Sequence, residues 1–452
     1  MRKILLVANK KQGAVLHGML ESMGIAIIRE NAEQRIKRAC KDAGIDVIVF
    51  DDDSYRGRDK SLRSKILGTL KRSKKPFIIS SSTRSLSAVR NARDAGAADF
   101  IYKSYNHREF IARLNAVMQK KTRITCIGGG TGLLHILMGF KEIPQSLLTS
   151  VVSTSDDGGC SGKLKASFGI LPPGDIRRSL VALSDAPEIM NQLMQFRFQR
   201  GDYFTGHNFG NLLLTALTEI KGSFSEAVRT ISDILNLQGI VLPVTDEHTT
   251  LCARFEDGTV IKGESKIDES EGKNPDLRII DIWHEPETGA TIDAFSSILN
   301  SDIITIGPGD LFTSVITNLL VKNIREAISE TKAKKVYLCN LMTEPGETAN
   351  CTAFEHVNEI IKYLVGDYLD YVIISNTKLS RKSIREYARK RQSPVKIQDI
   401  GQIHDITRAK VIQADVGHAT ELVRHESDKV KKEICDILRF GRNGKKAKKS
   451  KG

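Results

Sequence analysis

The chain has 452 residues, of which 40% are hydrophobic and 27% charged, a composition typical of globular proteins with more than one domain. No apolar run approaches the roughly 20 residues that a membrane-spanning helix needs, so an integral membrane protein is excluded. The seven cysteines include no CxxC pair, which argues against a disulfide framework or a zinc ribbon and favours a cytoplasmic location.

The net charge of +14 is unevenly distributed along the chain. Residues 1–121 carry 26 basic and 12 acidic side chains, and residues 439–452 carry seven basic and no acidic ones. The segment between them is net acidic. We therefore predict a basic domain (1–121), a larger acidic domain (122–438) and a basic disordered tail (439–452). The basic regions are either solvated surfaces or docking faces for an anionic partner or for the acidic domain.

Strand-like and helix-like segments alternate along the first 120 residues. Helical patterns such as 12–23 and 84–95 separate the short β-type runs. This order predicts five βα units and a parallel sheet with helices on both faces. The predicted strands are Ile4–Val7, Ala26–Arg29, Asp46–Phe50, Phe77–Ser80 and Asp99–Ile101.

This segment resembles the receiver domain of response regulators, which has a flavodoxin-like fold. Asp51 ends the third predicted strand, Ser81 ends the fourth and Lys103 follows the fifth, where that family has its phospho-acceptor, switch hydroxyl and lysine. The family's magnesium-binding acidic pair is replaced by Ala8 and Asn9. We therefore expect these residues to be non-functional in phosphorylation, with Asp51 and Lys103 paired to each other and the domain acting by docking.

From Arg123 onward a second α/β pattern begins, interrupted by a hairpin-like stretch (250–266) with Asp257-Gly258 as its turn. Its first strand is followed by a glycine loop and then by a helical run. Backbone amides of such a loop, together with a helix N-terminus, can bind an anion; a tight turn without a ligand is the alternative. The loop comprises Gly128, Gly129, Gly130, Thr131 and Gly132.

Polar and glycine-containing loops follow several further strands. Asp156 and Asp157 could accept sugar hydroxyls or hold Mg²⁺, although a simple Asp-Gly turn needs only one acid. Asp175 and Asn208 could also act as helix N-caps, and His207 is as consistent with a structural role as with ligand contact. Because such loops converge at one edge of a parallel sheet, we predict a ligand site there. The further candidates are Asp175, Arg177, His207, Asn211, Gly307, Gly309, Thr313, Ser314, Asn340 and Thr343.

Taken in order, these motifs resemble the YvcK group of gluconeogenesis factors and the related CofD phosphotransferases. The resemblance runs from Arg123 to about Leu438 and implies a Rossmann-like domain that binds UDP-N-acetylglucosamine and regulates cell shape, wall synthesis and carbon use. It also implies that Tyr387, by approximate spacing, and Arg424, by the motif Arg424-His-Glu-Ser-Asp428, contact the nucleotide sugar. Two departures, Cys160 and Asp310 in place of small or hydroxyl residues, leave the identity of the ligand open.

Three hypotheses follow for the function. The first is a UDP-sugar-binding regulator without turnover, which has no certain cofactor and no catalytic residue. The second is a CofD-like 2-phospho-L-lactate transferase that uses Mg²⁺. The third is a nucleic-acid-binding adaptor, which the absence of aromatic residues among the basic ones argues against. A homo-oligomer and a protein partner of the first domain are also compatible with the sequence.

Overall fold

The structure is a computed structural model that describes residues 3–9, 11, 13–22, 24–56, 60–103, 106–268, 274, 276–418 and 423–449. Its first part, here called the amino-terminal unit, has a five-stranded parallel sheet in the order β2-β1-β3-β4-β5. This is the flavodoxin-like order, so the predicted fold class is confirmed. The elements are β1 (Lys3–Val7), α1 (Ala14–Glu21), β2 (Ala26–Glu30), α2 (Glu33–Ala39), β3 (Val47–Asp51), α3 (Lys60–Arg72), β4 (Phe77–Ser81), α4 (Leu86–Asp94), β5 (Asp99–Tyr102) and α5 (His107–Met118).

The rest of the chain, here called the main unit, is built on a seven-stranded sheet. Its order is β8-β7-β6-β12-β13-β14-β15, and every neighbouring pair is parallel. Numbered from β6, this is the Rossmann pattern 3-2-1-4-5-6 with one more strand at the end. The strands are β6 (Thr122–Gly128), β7 (Ser146–Val152), β8 (Ile240–Pro243), β12 (Ile303–Ile306), β13 (Lys334–Leu338), β14 (Tyr371–Ser375) and β15 (Lys410–Ala414).

Helices cover both faces of this sheet, whose strands are mostly buried except for the edge strand β15. They are α6 (Gly130–Phe140), α7 (Gly159–Phe168), α8 (Gly174–Leu183), α9 (Glu188–Gln195), α10 (Phe209–Lys221), α11 (Phe224–Ile234), α12 (Glu264–Asp268), α13 (Ile292–Leu299), α14 (Thr317–Leu319), α15 (Ile324–Glu330), α16 (Ala353–Leu364), α17 (Arg381–Arg389), α18 (Ile400–Ile406) and α19 (Ser427–Lys449).

The predicted hairpin forms the centre of a small antiparallel sheet with the order β10-β9-β11. Its turn contains Gly258 at φ +85°, and the Asp257 side chain accepts a hydrogen bond from the Thr259 amide. This insertion comprises β9 (Thr250–Phe255), β10 (Val260–Lys262) and β11 (Ile279–Glu285), and a two-stranded ribbon of β16 (Gly417–His418) and β17 (Arg424–His425) precedes α19.

The two units pack tightly against each other along α13. All eight residues of α13 are buried, and the Arg90 guanidinium lies over the Phe295 ring while it pairs with Glu330 at 2.9 Å. Arg113, 2% exposed, donates a hydrogen bond to the Ser297 hydroxyl. The amino-terminal unit is therefore docked within its own chain, and a domain boundary at residue 121 stays a prediction.

The structure describes helix α19 as far as Lys449. Residues 450–452 lie outside the described residues, and the disorder expected for the tail (439–452) stays a prediction. In the part of the chain that the structure describes, no helix is both long enough and apolar enough to cross a membrane.

Candidate functional site

The order in which successive strands are added to the sheet reverses between β6 and β12, and the loops that follow these two parallel strands lie against each other. A Cβ atom on Gly132 would lie 3.0 Å from both the carbonyl carbon and the oxygen of Pro308, and one on Gly128 would lie 3.5 Å from the same oxygen. Gly307, which has φ +78°, makes the turn out of β12. In open α/β sheets, ligands bind at such a switch point, outside the carboxyl ends of the strands.

Asp175 connects this double loop to α8. One carboxylate oxygen accepts a hydrogen bond of 2.7 Å from the Gly130 amide, at the N-terminus of α6, and the other accepts one from Arg178. The close approach requires glycine, since a Cβ atom on Gly129 would lie 2.5 Å from the Asp175 carboxylate. Asp175 lies in the first turn of α8, whose N-cap is Pro173, so the N-cap role considered for Asp175 was wrong. Asn208 does cap α10, as predicted.

The two adjacent aspartates after β7 point to different partners. Asp156 accepts a hydrogen bond from the Gly158 amide and lies beside Gly174. Asp157 accepts one from the Ser265 amide and thereby anchors the first turn of α12. Among the residues that the structure describes, no group of three or more His, Cys, Asp or Glu side chains is arranged to hold a metal ion. Asp156 and Asp157 thus bind different backbone amides, and an Mg²⁺ site at this loop stays a prediction.

A buried polar network extends behind the loop that follows β7. The Ser155 hydroxyl donates a hydrogen bond to the Glu264 carboxylate at 2.7 Å and lies 3.0 Å from the Thr317 hydroxyl, which in turn contacts His284. Burial, followed by repulsion from Asp156, raises the pKa of Glu264 well above its usual range. The site therefore favours a protonated carboxyl group here.

Further carboxylates come from the loops after β12 and β13. Burial and the Asp175 charge raise the pKa of Asp310. Burial and Asp310 raise the pKa of Glu344 to about 7. Glu347 is fully buried and accepts a hydrogen bond from the Thr313 hydroxyl at 2.7 Å. The edge of the sheet is thus rich in acidic groups whose ionised forms are disfavoured.

Asn340 links the same two loops. Its amide nitrogen donates a hydrogen bond to the Gly309 carbonyl at 2.8 Å, and its buried oxygen has no partner among the described residues. Ser314 lies close to the first glycine loop: a Cβ atom on Gly130 would lie 3.3 Å from the Ser314 hydroxyl. A cavity of about 200 Å³ opens beside Asn340, between the ends of β13 and β14, and Thr377 and Pro394 line it.

Arg177 and Asn211 lie on α8 and α10, and His207 lies in the loop before α10. The Arg177 guanidinium donates hydrogen bonds to the Asn211 side chain and to the Met194 carbonyl, and all of these atoms are buried. The His207 ring nitrogen lies 3.4 Å from the sulfur of Cys160. Arg177 and Asn211 thus hold α8 and α10 together.

Arg424 and Tyr387 lie close together although 37 positions separate them in the chain. The Tyr387 hydroxyl accepts a hydrogen bond from the Val423 amide at 2.9 Å. The Arg424 guanidinium lies 2.8 Å from the His135 ring, in the second turn of α6. Burial and the Arg424 charge lower the pKa of His135, which leaves the ring neutral and able to accept this hydrogen bond. Arg424 is therefore tied to the helix that follows the first glycine loop.

The amino-terminal unit has its own buried cluster. Lys103 lies 2.6 Å from Asp51 and 2.8 Å from Asp53, and the Ser81 hydroxyl lies within 3.4 Å of Asp52 and Asp53. The expected pairing of Asp51 with Lys103 is confirmed. Strand β3 ends at Asp51 and a 3-10 turn begins at Asp52, so strand alternation does not extend to Asp52 and Asp53.

Most of the residues predicted from the sequence meet at the carboxyl edge of the seven-stranded sheet, but a few do not face it. Thr343 pairs with Ser393, and Thr313 binds Glu347. Glu264, Glu344 and Glu347 were missed as site residues. Glu344 and Glu347 stand in the loop that the sequence singled out, whereas Glu264 lies 108 positions from Asp156 behind the hairpin and carries no local signal.

Comparison with known proteins agrees with this architecture. A family model described as 2-phospho-L-lactate transferase CofD matches residues 124–416. A relative from Aquifex aeolicus is 42% identical over 323 residues, which are 71% of this chain and 97% of the relative. The gluconeogenesis factor of Bacillus subtilis is 38% identical over 326 residues, 71% of this chain and 100% of the relative.

A solved structure shares the same fold. The crystal structure of a UPF0052 family member from Bacillus halodurans superimposes with a TM-score of 0.66 and 36% sequence identity, covering 70% of this chain and 99% of that chain. The family model spans well over half of the chain, and the relatives are matched over almost their entire length. The chain therefore belongs to the CofD family, within the YvcK group of gluconeogenesis factors.

Proposed function

We propose that the chain binds a UDP-sugar, UDP-N-acetylglucosamine or a close analogue, at the carboxyl edge of the seven-stranded sheet and acts as a regulator without turning it over. The observation that carries the proposal is the contact between the glycine loops after β6 and β12, where Gly132 lies directly against Pro308. Such a contact at the switch point brings backbone amides and a helix N-terminus to one place.

The groups around the glycine loops suit both the diphosphate and the sugar hydroxyls of a nucleotide sugar. Arg178, which binds Asp175, and Arg424, which contacts His135 of α6, are cations that a diphosphate would pair with. Asp156, Asp310 and Asn340 offer oxygen atoms to the hydroxyl groups of a ribose or a hexose. We propose these residues, with Tyr387 beside Arg424, as the core of the ligand site.

The raised pKa values of the site carboxyls support an anionic ligand. A diphosphate would be repelled by ionised Glu264 and Glu344, and burial together with mutual repulsion favours their protonated forms. The biological role that we propose, control of cell shape, wall synthesis and central carbon use, rests on membership of the gluconeogenesis-factor group.

A thermal-shift and calorimetric comparison of UDP-N-acetylglucosamine, UDP, GDP and free N-acetylglucosamine tests the proposal. A ligand present at about a hundred times its dissociation constant should stabilise the fold by about 2.7 kcal/mol. We expect the largest shift with the UDP-sugar and no consumption of it. A shift with GDP alone would contradict the proposal.

The second candidate is a CofD-like phosphotransferase, which the family match over residues 124–416 favours. Its Mg²⁺ would depend on Asp156 and Asp157, each of which accepts a hydrogen bond from a different backbone amide. Incubation with a nucleoside-diphosphate-linked phospholactate, an acceptor and Mg²⁺, followed by mass spectrometry of the small molecules, separates the two. Multiple-turnover product formation would establish the transferase.

A further inference from the structure

A wide cleft separates the two units at the edge opposite the glycine loops. It has a volume of about 1130 Å³, and its lining includes Phe77, Thr122 and Lys334. These residues stand at the amino-terminal starts of β4, β6 and β13. Strand β6 has seven residues, so the cleft and the glycine loops lie about 20 Å apart. The cleft is thus a place distinct from the proposed UDP-sugar site.

The cleft is strongly basic. Among the described residues that line it, eight are Lys or Arg and one, Asp302, is acidic. The Asp302 carboxylate is already bound to the Arg123 amide. Helix α19 reaches the cleft at Ile437 and Leu438, and no acidic residue follows in the chain. Among the described residues that line the cleft, eight basic side chains thus stand against one acidic side chain.

Half of these cations have no side-chain partner among the residues that the structure describes. Lys71 and Lys75 donate hydrogen bonds to backbone carbonyls, Arg123 does the same, and Lys334 pairs with Asp370. Lysine and arginine side chains often bind backbone carbonyl groups near the C-terminal ends of helices. The other four make no side-chain hydrogen bond or ion pair with any described residue. They are Lys74, Lys120, Lys121 and Lys332.

Two of the unpartnered lysines occupy backbone positions that suit glycine. Lys74 has φ +58° and Lys120 has φ +50°, both in the left-handed region where a side chain is disfavoured. Lys74 is in the turn between α3 and β4, and Lys120 is in the turn between α5 and β6. A lysine at either position strains the backbone of its turn, and it also places a positive charge in the cleft.

We propose that this cleft binds a small polyanion with several phosphate groups, the chemistry shared by inorganic polyphosphate and nucleoside polyphosphates. Several unpaired ammonium groups around one cavity match several adjacent phosphates. The volume suits a small molecule, and the lining places no exposed aromatic ring for stacking the bases of a nucleic acid.

The test is calorimetric titration of the full chain with inorganic tripolyphosphate, with ATP, with adenosine and with a short DNA duplex, at low salt. The test variant combines Lys74→Gly, Lys120→Gly, Lys121→Gln and Lys332→Gln. Glycine adopts the left-handed conformation of Lys74 and Lys120 without strain, so these two substitutions should leave the fold intact. A loss of binding would then report the lost charges. The control combines Lys37→Gln, Lys41→Gln and Lys221→Gln, which are exposed and outside the cleft.

We expect tripolyphosphate and ATP, but not adenosine, to bind the wild type and the control with affinities within about twofold, and the test variant to bind at least about tenfold more weakly. Tighter binding of ATP than of tripolyphosphate would identify a nucleotide as the source of the phosphates. Absence of binding to the wild type, or equal affinity in the test variant, would overturn the proposal. Tighter binding of DNA, lost in the test variant, would assign the cleft to nucleic acid instead.

Discussion

The Asp175 carboxylate accepts a hydrogen bond from the Gly130 amide at 2.7 Å, across 45 positions of the chain. This bond ties the first turn of α8 to the N-terminus of α6, and Arg178 neutralises the same carboxylate. A negative charge is favourable beside a helix N-terminus. An anionic ligand of the glycine loop therefore has to bind next to the Asp175 carboxylate, which already accepts the hydrogen bond of the Gly130 amide.

The contact between the two glycine loops predicts the effect of Gly132→Ala. The new methyl group would lie 3.0 Å from the Pro308 carbonyl and 3.1 Å from the Gly309 amide, so backbone has to move. We expect a loss of about 1–3 kcal/mol in the free energy of unfolding, measured with urea, and loss of UDP-sugar binding. Gly401→Ala, in α18 with open space around it, is the control and should leave both unchanged or raise stability. Full binding in Gly132→Ala would contradict the proposed site.

Arg424→Ala tests the cation beside the first glycine loop. Removal of a charge-assisted bond to phosphate should weaken UDP-sugar binding by about 1.5–3 kcal/mol, about tenfold or more, as measured by calorimetry. The melting temperature should be unchanged, because Arg424 is only partly buried and its recorded partner is a neutral histidine. Arg408→Ala, an exposed arginine at the opposite edge, is the matched control. An unfolded variant, or one with full affinity, would refute this role.

The amino-terminal unit should not be phosphorylated on Asp51. The carboxylate is fully buried, pairs with Lys103 and accepts a hydrogen bond from Ser54, while Ala8 and Asn9 supply no carboxylate for a divalent cation. Phosphoryl transfer to an aspartate needs that cation. Incubation of the full chain with Mg²⁺ and acetyl phosphate should give no stoichiometric gain in mass. A gain that Asp51→Asn abolishes would show that the switch is intact.

Glu344 predicts a pH dependence of stability. Its pKa in the folded state is raised to about 7, mainly by burial, whereas an unfolded glutamate has a pKa of about 4.3. Between these values the folded state binds more protons, so the free energy of unfolding should fall as the pH rises from about 4 to 7 and then level off. Glu344→Gln should reduce this fall in the free energy of unfolding by an amount on the order of 2 kcal/mol. The control Glu219→Gln, at an exposed glutamate, should leave the fall unchanged. Urea titrations from pH 5 to 8 give the comparison, and parallel curves would contradict the prediction.

The sequence predicted the five strands of the amino-terminal unit, and the order of the glycine loops in the main unit and their meeting at one edge. These could be predicted because buried parallel strands read as apolar runs and tight strand-to-helix turns favour glycine. It did not predict how individual side chains are used. Thr313 turns to Glu347, and Asp157 caps a helix 108 positions away. Such pairings depend on which loops become neighbours in space, and no local pattern encodes that.

The burial of α13 makes this chain dependent on its own amino-terminal unit. The relative from Aquifex aeolicus is matched over 97% of its length by 71% of this chain, so it has no room for a comparable unit. In this chain, removal of residues 1–121 would uncover Phe295 and leave Arg229 and Asp293 without Glu109 and Arg113 beside them. A truncated form with the length of its shorter relatives would therefore expose an apolar surface flanked by unpaired charges, and it would tend to aggregate.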